Sequence, residues 1–158
     1  MDTTIGLTHI PFLEACLRLG AAALFGLLLG IDREMKHKPI GMRAYMLVAV
    51  GSAAFSIITL EIGAMATQTE GISDVDVARV VQGIIGGIGF LGAGAIIQSG
   101  SNIKGTGTGA AIWCVGAVGL ACGFGLYAFG AAVTLLSLTI LVGIGALRQR
   151  FSSLKDDD

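Results

Sequence analysis

The stretch from Arg79 to Gln98 constrains this chain more than any other. After Arg79 it carries no charge, and the next charged residue is Lys104. Roughly 20 apolar residues are enough to cross a bilayer as a helix. Its glycines do not suit a lone helix, because each interior glycine costs about 1 kcal/mol against alanine in water. In a membrane the same glycines let neighbouring backbones approach closely. The run therefore predicts a helix over 77–98, buried at the centre of a membrane bundle, with Gly83, Gly87, Gly89, Gly92 and Gly94 at packing contacts. Within it, Gly87-Ile-Gly-Phe-Leu-Gly92 has the spacing of a dinucleotide fingerprint. That motif needs a preceding strand, a following helix and an acid about 20 residues on. Here it lies inside one apolar run with no acid at that distance, so nucleotide binding is set aside.

Composition agrees with a membrane protein. Charged residues make up 13% of the chain and hydrophobic residues 54%, with a mean hydropathy of +0.82. Soluble domains run near 25% charged. A net charge of -1 offers no footprint for nucleic acid. Cys16, Cys114 and Cys122 are scattered through apolar runs, without the spacing of a disulfide framework or a CxxC site. They read as small buried hydrophobes. The first ten residues lack the basic region of a signal peptide. No nucleophile stands near a base in the sequence, so an enzyme is not indicated.

The expected fold is an all-α membrane bundle of about five spans by the bilayer-length rule. Its helices fall roughly at 12–31, 42–62, 77–98, 108–124 and 126–147. Lys and Arg mark the cytoplasmic side. Arg33, Lys36, Lys38 and Arg43 lie on one side, joined by Lys104 and the Arg148–Lys155 tail if the spans alternate. The loops at 63–76 and 123–125 contain neither Lys nor Arg. The N-terminus is therefore expected outside and the C-terminus in the cytoplasm.

Several residues are candidates for chemistry. Glu14 and Arg18 are four apart in the first span and share a helix face. They form either an interfacial pair or, together with Arg79, a polar cleft. Gly26 and Gly30 form a GxxxG pattern suited to close helix contact, as do Gly83/Gly87. Gly119/Gly123 have the same spacing, and Trp113 in that run is a further helix-packing candidate. Asp32, Arg33 and Glu34 open a polar loop that Pro39 and Gly41 interrupt, and Arg43 follows it. Paired carboxylates there can hold a hydrated magnesium ion loosely, although solvated charge is the commoner role. His37 has no second histidine nearby for zinc. Ser73 or Asp74 is the expected cap of the third helix, and acids at that end favour the helix dipole. The dipole accounts for Asp74 and Asp76 but disfavours Arg79. The Ser99–Gly109 turn offers Asn102, Lys104, Thr106 and Thr108 as hydrogen-bonding groups on flexible backbone and lacks the spacing of a P-loop.

Read together, Leu29-Gly-Ile-Asp-Arg33, Gly41-Met-Arg43, Asp76-Val-Ala-Arg79, Gly87-Ile-Gly-Phe-Leu-Gly-Ala-Gly94, Asn102-Ile-Lys-Gly105 and Trp113 resemble the MgtC/SapB family of bacterial membrane proteins. The similarity runs from about Phe12 to about Leu147. It implies a five-span inner-membrane domain with a role in magnesium limitation, acid tolerance or survival in hosts. Family members are often named for magnesium transport, and at least some are thought to bind other membrane proteins, including a rotary ATP synthase. The chain departs from the family pattern at Asp32, Met42, Ala44 and Gly107. Many members carry a soluble C-terminal regulatory domain, which is not expected in a chain ending at Asp158. The reading is thus a bilayer-embedded, homodimeric regulator of another membrane protein, with no cofactor unless the loop acids hold magnesium. The alternative is a carrier or channel for magnesium or another small cation.

Overall fold

The computed structural model describes Leu7 and residues 9–38, 40–67, 76–99 and 101–144. Five α-helices dominate: α1 (Phe12–Met35), α2 (Met42–Thr67), α3 (Val77–Gly94), α4 (Thr106–Gly123) and α5 (Tyr127–Leu138). The last continues as a π-helical turn over Thr139–Ile144. Between α3 and α4 lies a two-stranded antiparallel hairpin, β1 (Ile97–Ser99) and β2 (Asn102–Lys104), with Gln98 opposite Ile103. The first four helices are long and apolar enough to cross a membrane, and the fifth is shorter.

Several boundaries differ from the sequence reading. α1 runs to Met35, so Asp32, Arg33 and Glu34 are helical residues rather than loop residues. α2 continues past Ile62 to Thr67. α3 stops at Gly94, and Ile97 and Gln98 belong to β1. Just after the hairpin Gly105 adopts φ +88°, where a Cβ would run into the backbone of Ala95. That left-handed residue turns the chain from β2 straight into α4. Thr106 and Thr108 therefore lie in the first turn of α4, not in a loop. Asp76 caps α3 by accepting the Arg79 N–H at 3.1 Å. The expected cap residues, Ser73 and Asp74, lie outside the described residues, as do Pro39, the acidic loop over 68–75 and the Arg148–Lys155 tail.

The central helix is α4, not α3. The most apolar stretch of α4 is 61% buried, against 11% for α3, and α4 packs against all four other helices. The reason is where the small side chains point. Gly119 and Gly123 of α4 lie against the backbone of α2 at Ala49 and Ala53, with Ser52 and Ser56 beside them. On its other side, Gly109 meets Gly92 of α3, and Gly116 receives the Ile88 side chain. Gly26 and Gly30 of α1 lie against α2 at Tyr45 and Met42. By contrast, Gly83, Gly87, Gly89 and Gly94 of α3 have no neighbour within 4 Å of a Cβ position. Trp113, a further packing candidate, is 52% exposed.

The core is built of small and branched residues, among them Ala22, Ala49, Ala53, Val115, Val118 and Cys122, with Tyr45 its bulkiest fully buried side chain. Large hydrophobes such as Phe55, Phe90 and Leu135 point outward. This inversion suits a lipid surround, where apolar surface has no reason to hide and helix association relies on close packing. Ser52, Ser56, Thr59 and Thr134 meet their hydroxyl needs by donating to the carbonyl four residues back.

Candidate functional site

The buried charge is concentrated where α1 ends, α2 begins and α4 begins. α1 presents Asp32 and Arg33, which are only 5% and 7% exposed. Arg33 Nη2 donates to Thr108 Oγ1 in the first turn of α4. Asp32 Oδ1 pairs with Lys36 Nζ one turn on, at 2.6 Å. Tyr45 of α2 is fully buried beside this pair. Glu34, also on α1, turns toward α2 and accepts the Met42 N–H at 3.2 Å, which caps that helix. Among the described residues, the buried side-chain polar atoms without a partner are Asp32 Oδ2, Arg33 Nε and Tyr45 Oη. All three belong to this cluster. Groups of this kind are expensive inside a membrane and mark functional sites by default.

The chemistry of the cluster is that of a neutralised carboxylate. One anion, Asp32, stands with two cations, Arg33 and Lys36, beside the positive end of the α4 dipole. Magnesium seeks oxygen ligands of net negative charge, and this donor set does not fit it as a resident ion. Among the described residues, no three His, Cys, Asp or Glu side chains converge.

Two more polar clusters occupy the opposite end of the bundle. Glu14 Oε1 accepts from Arg18 Nε at 2.9 Å and from Tyr127 Oη at 3.1 Å. Arg18 Nη1 reaches across to donate to the Gly123 carbonyl at 2.8 Å. This knot ties α1 to the end of α4 and the start of α5, and Gly125, at φ +78°, packs against the Arg18 guanidinium. Nearby, Glu61 of α2 accepts the backbone N–H of Ile10 at 2.5 Å and of His9 at 3.1 Å, holding the segment that leads into α1.

Arg79 does not join Glu14 and Arg18. It is exposed on α3 and faces Asp76 of its own helix at 3.7 Å. Arg43 is exposed in the first turn of α2, and Asn102 and Lys104 are exposed on β2. Of the two arrangements left open by the sequence, the cleft that joins Arg79 to Glu14 and Arg18 does not form, and Glu14 pairs with Arg18 near the helix end. Tyr45 was not picked out by sequence reasoning, since a tyrosine in an apolar run looks like core. Glu61 was visible only as an acid at a helix end, because its partners lie 51 and 52 residues away.

Buried charges at the helix ends and a glycine-lined, lipid-facing bundle define a multi-pass α-helical membrane protein. Its sequence matches the MgtC family model over residues 19–150, and the chain belongs to that family. It is 36% identical to Protein MgtC of Brucella abortus (strain 2308) over 130 residues, which is 82% of this chain and 51% of that protein. It is 34% identical to Protein MgtC of Salmonella typhimurium (strain LT2) over 138 residues, 87% of this chain and 55% of that protein. The chain thus spans about half the length of the curated relatives it matches. No solved structure matches it.

Proposed function

We propose that this chain is a bacterial inner-membrane protein that serves adaptation to low magnesium, acid or host stress by binding and regulating another membrane protein. A rotary ATP synthase is the kind of partner the family resemblance suggests. The N-terminus lies outside and the α1–α2 turn, the β hairpin and the C-terminus face the cytoplasm, following the positive-inside rule. The chain acts as a homodimer and catalyses no reaction.

One observation carries this reading. Every described carboxylate, namely Glu14, Asp32, Glu34, Glu61 and Asp76, is engaged by a donor of its own chain. A cation pathway built on side chains would turn its acids toward a water-filled route. Here Glu14, Glu34 and Glu61 tie elements together, Asp32 and Asp76 are held within their own helices, and the outer faces are left apolar, which suits recognition of other helices. The test joins two measurements. Magnesium uptake is followed in sealed liposomes holding only this protein, against empty liposomes. In cells starved of magnesium, a photo-crosslinker replaces the exposed Trp113. No uptake, together with a crosslink to a membrane protein, is the expected result. Uptake without any crosslink overturns the reading.

A second reading, a magnesium or other small-cation carrier, draws on the unpartnered buried oxygens of Asp32 and Tyr45 as a passing rather than a resident site. Saturable uptake that is abolished in a folded Asp32→Asn protein would establish it.

A further inference from the structure

Among the described residues, the glycine-rich face of α3 has no partner, and its chemistry selects what covers it. At 3.6 residues per turn, Asp76, Arg79, Gly83, Gly87, Phe90 and Gly94 fall within an arc of about 80°. All six are exposed. A Cβ at Gly83, Gly87 or Gly94 would meet nothing within 4 Å. The opposite face, with Ile88 and Gly92, is the one that packs on α4. Beside the exposed arc runs an apolar groove of about 720 Å³ between α2 and α3, bordered by Leu47, Gly51, Phe55, Gly83, Gly87 and Leu91. Phe90, 79% exposed, projects one turn beyond Gly87.

We infer that this face is the surface on which a second copy of the chain docks, α3 against α3. The inference rests on the homodimer proposed above and names its interface. In a closed symmetric dimer, two copies inserted with the same orientation are related by a two-fold axis along the membrane normal. Such an interface brings the same patch of each copy together. The two α3 helices then run parallel with equivalent residues at equal depth. Gly83 and Gly87 allow the backbones to approach, the geometry of a GxxxG contact. Each Phe90 packs over the glycine turns of the other copy, next to the groove.

The charges decide for a second copy over an unrelated helix. Arg79 and Asp76 sit one turn apart at the same end of the face, with side chains 84% and 56% exposed and only a loose 3.7 Å approach. A patch carrying one charge of each sign at this spacing is complementary to itself. Identical charges share one depth in such a pair, but Asp76 and Arg79 lie about 60° apart on either side of the centre of the face, so the two-fold sets each Asp76 on the same side as the other copy's Arg79, about 4.5 Å away along the helix, within reach of its long side chain. This also accounts for a cation in the first turn of α3, where the helix dipole disfavours it.

The test uses the full chain, labelled separately with donor and acceptor dyes, co-reconstituted in liposomes over a range of protein-to-lipid ratios. Energy transfer reports association, and circular dichroism and thermal melting check that each variant is folded. The wild type is expected to pair. Gly83→Leu and Gly87→Leu, which meet open space in the monomer, are expected to stay folded and associate about tenfold more weakly, the equivalent of about 1.4 kcal/mol. Asp76→Arg and Arg79→Asp alone weaken pairing, whereas mixing the two variants restores it, since each then offers the opposite charge to the other. Asp76→Arg also removes the α3 cap, so restoration in the mixture is the diagnostic result. Unchanged pairing in both leucine variants, or a mixture that does not recover, overturns this interface while leaving the dimer. A wild type that stays monomeric at every ratio overturns the dimer as well, but not the regulatory reading, which is read separately in cells.

Discussion

Asp32 and Lys36 show how unequal the two partners of an ion pair are. The carboxylate is almost wholly buried, whereas the lysine side chain is 39% exposed. Removing the lysine leaves a buried charge with its main partner gone, a loss of about 1–3 kcal/mol once the lysine's exposure to solvent is allowed for. Lys36→Ala should therefore lower the thermal unfolding midpoint in detergent sharply, although lysine looks like a surface residue. Adding Asp32→Asn should recover most of the loss, because the uncompensated charge then disappears; a double-mutant cycle measures this directly. Arg33 depends on a different partner. Arg33→Met removes the donor to Thr108 and should cost about 2 kcal/mol, the range for a hydrogen bond to a charged group. Equal stability of Lys36→Ala and wild type would show that solvent, not Lys36, satisfies Asp32.

Among the elements, α4 governs the fold because its small residues are spent on contact. At Gly123 an added Cβ would lie 2.5 Å from the Ala53 carbonyl oxygen, and Gly119 is similarly crowded by Ala49. Both obstacles are backbone and cannot rotate away. Gly119→Ala and Gly123→Ala should each destabilise by about 1–3 kcal/mol, the usual cost of overpacking. Gly51 of α2 has open space instead. Gly51→Ala should be stabilising by about 0.5–1 kcal/mol through lost backbone entropy in the unfolded chain. Melting curves of the three variants in one detergent distinguish these signs. The sequence shows glycine pairs at helical spacing in α1, α3 and α4 alike, yet Gly26/Gly30 and Gly119/Gly123 meet a neighbouring helix and Gly83/Gly87 do not. Periodicity reports that a face is smooth, not what lies opposite it.

At the scale of the whole molecule, the two ends differ in kind. One end holds the Glu14–Arg18–Tyr127 knot and Glu61; the other holds the Asp32–Arg33–Thr108 cluster and the β hairpin. With the proposed orientation, a membrane-impermeant maleimide should label Asn102→Cys on the hairpin only in inverted vesicles. It should label Thr67→Cys, at the opposite end of α2, only in intact spheroplasts. The reverse pattern would invert the topology.

The sequence by itself determined the solvent and the class. Long runs without charge can lie only where backbone groups satisfy one another, so a bundle of spanning helices follows from composition and run length. It also determined the family, because the glycine block and its upstream Asp-x-x-Arg are local strings. Tertiary structure alone decided which helix is central, that Asp32 and Arg33 are buried helical residues, and that Thr108 and Tyr45 join them. Those outcomes depend on contacts between residues far apart in the chain, with Thr108 lying 75 residues from Arg33. A one-dimensional pattern cannot rank such contacts, because in an apolar surround every helix face is equally free of water, and only shape, small residues and the pairing of a few charges decide which faces meet.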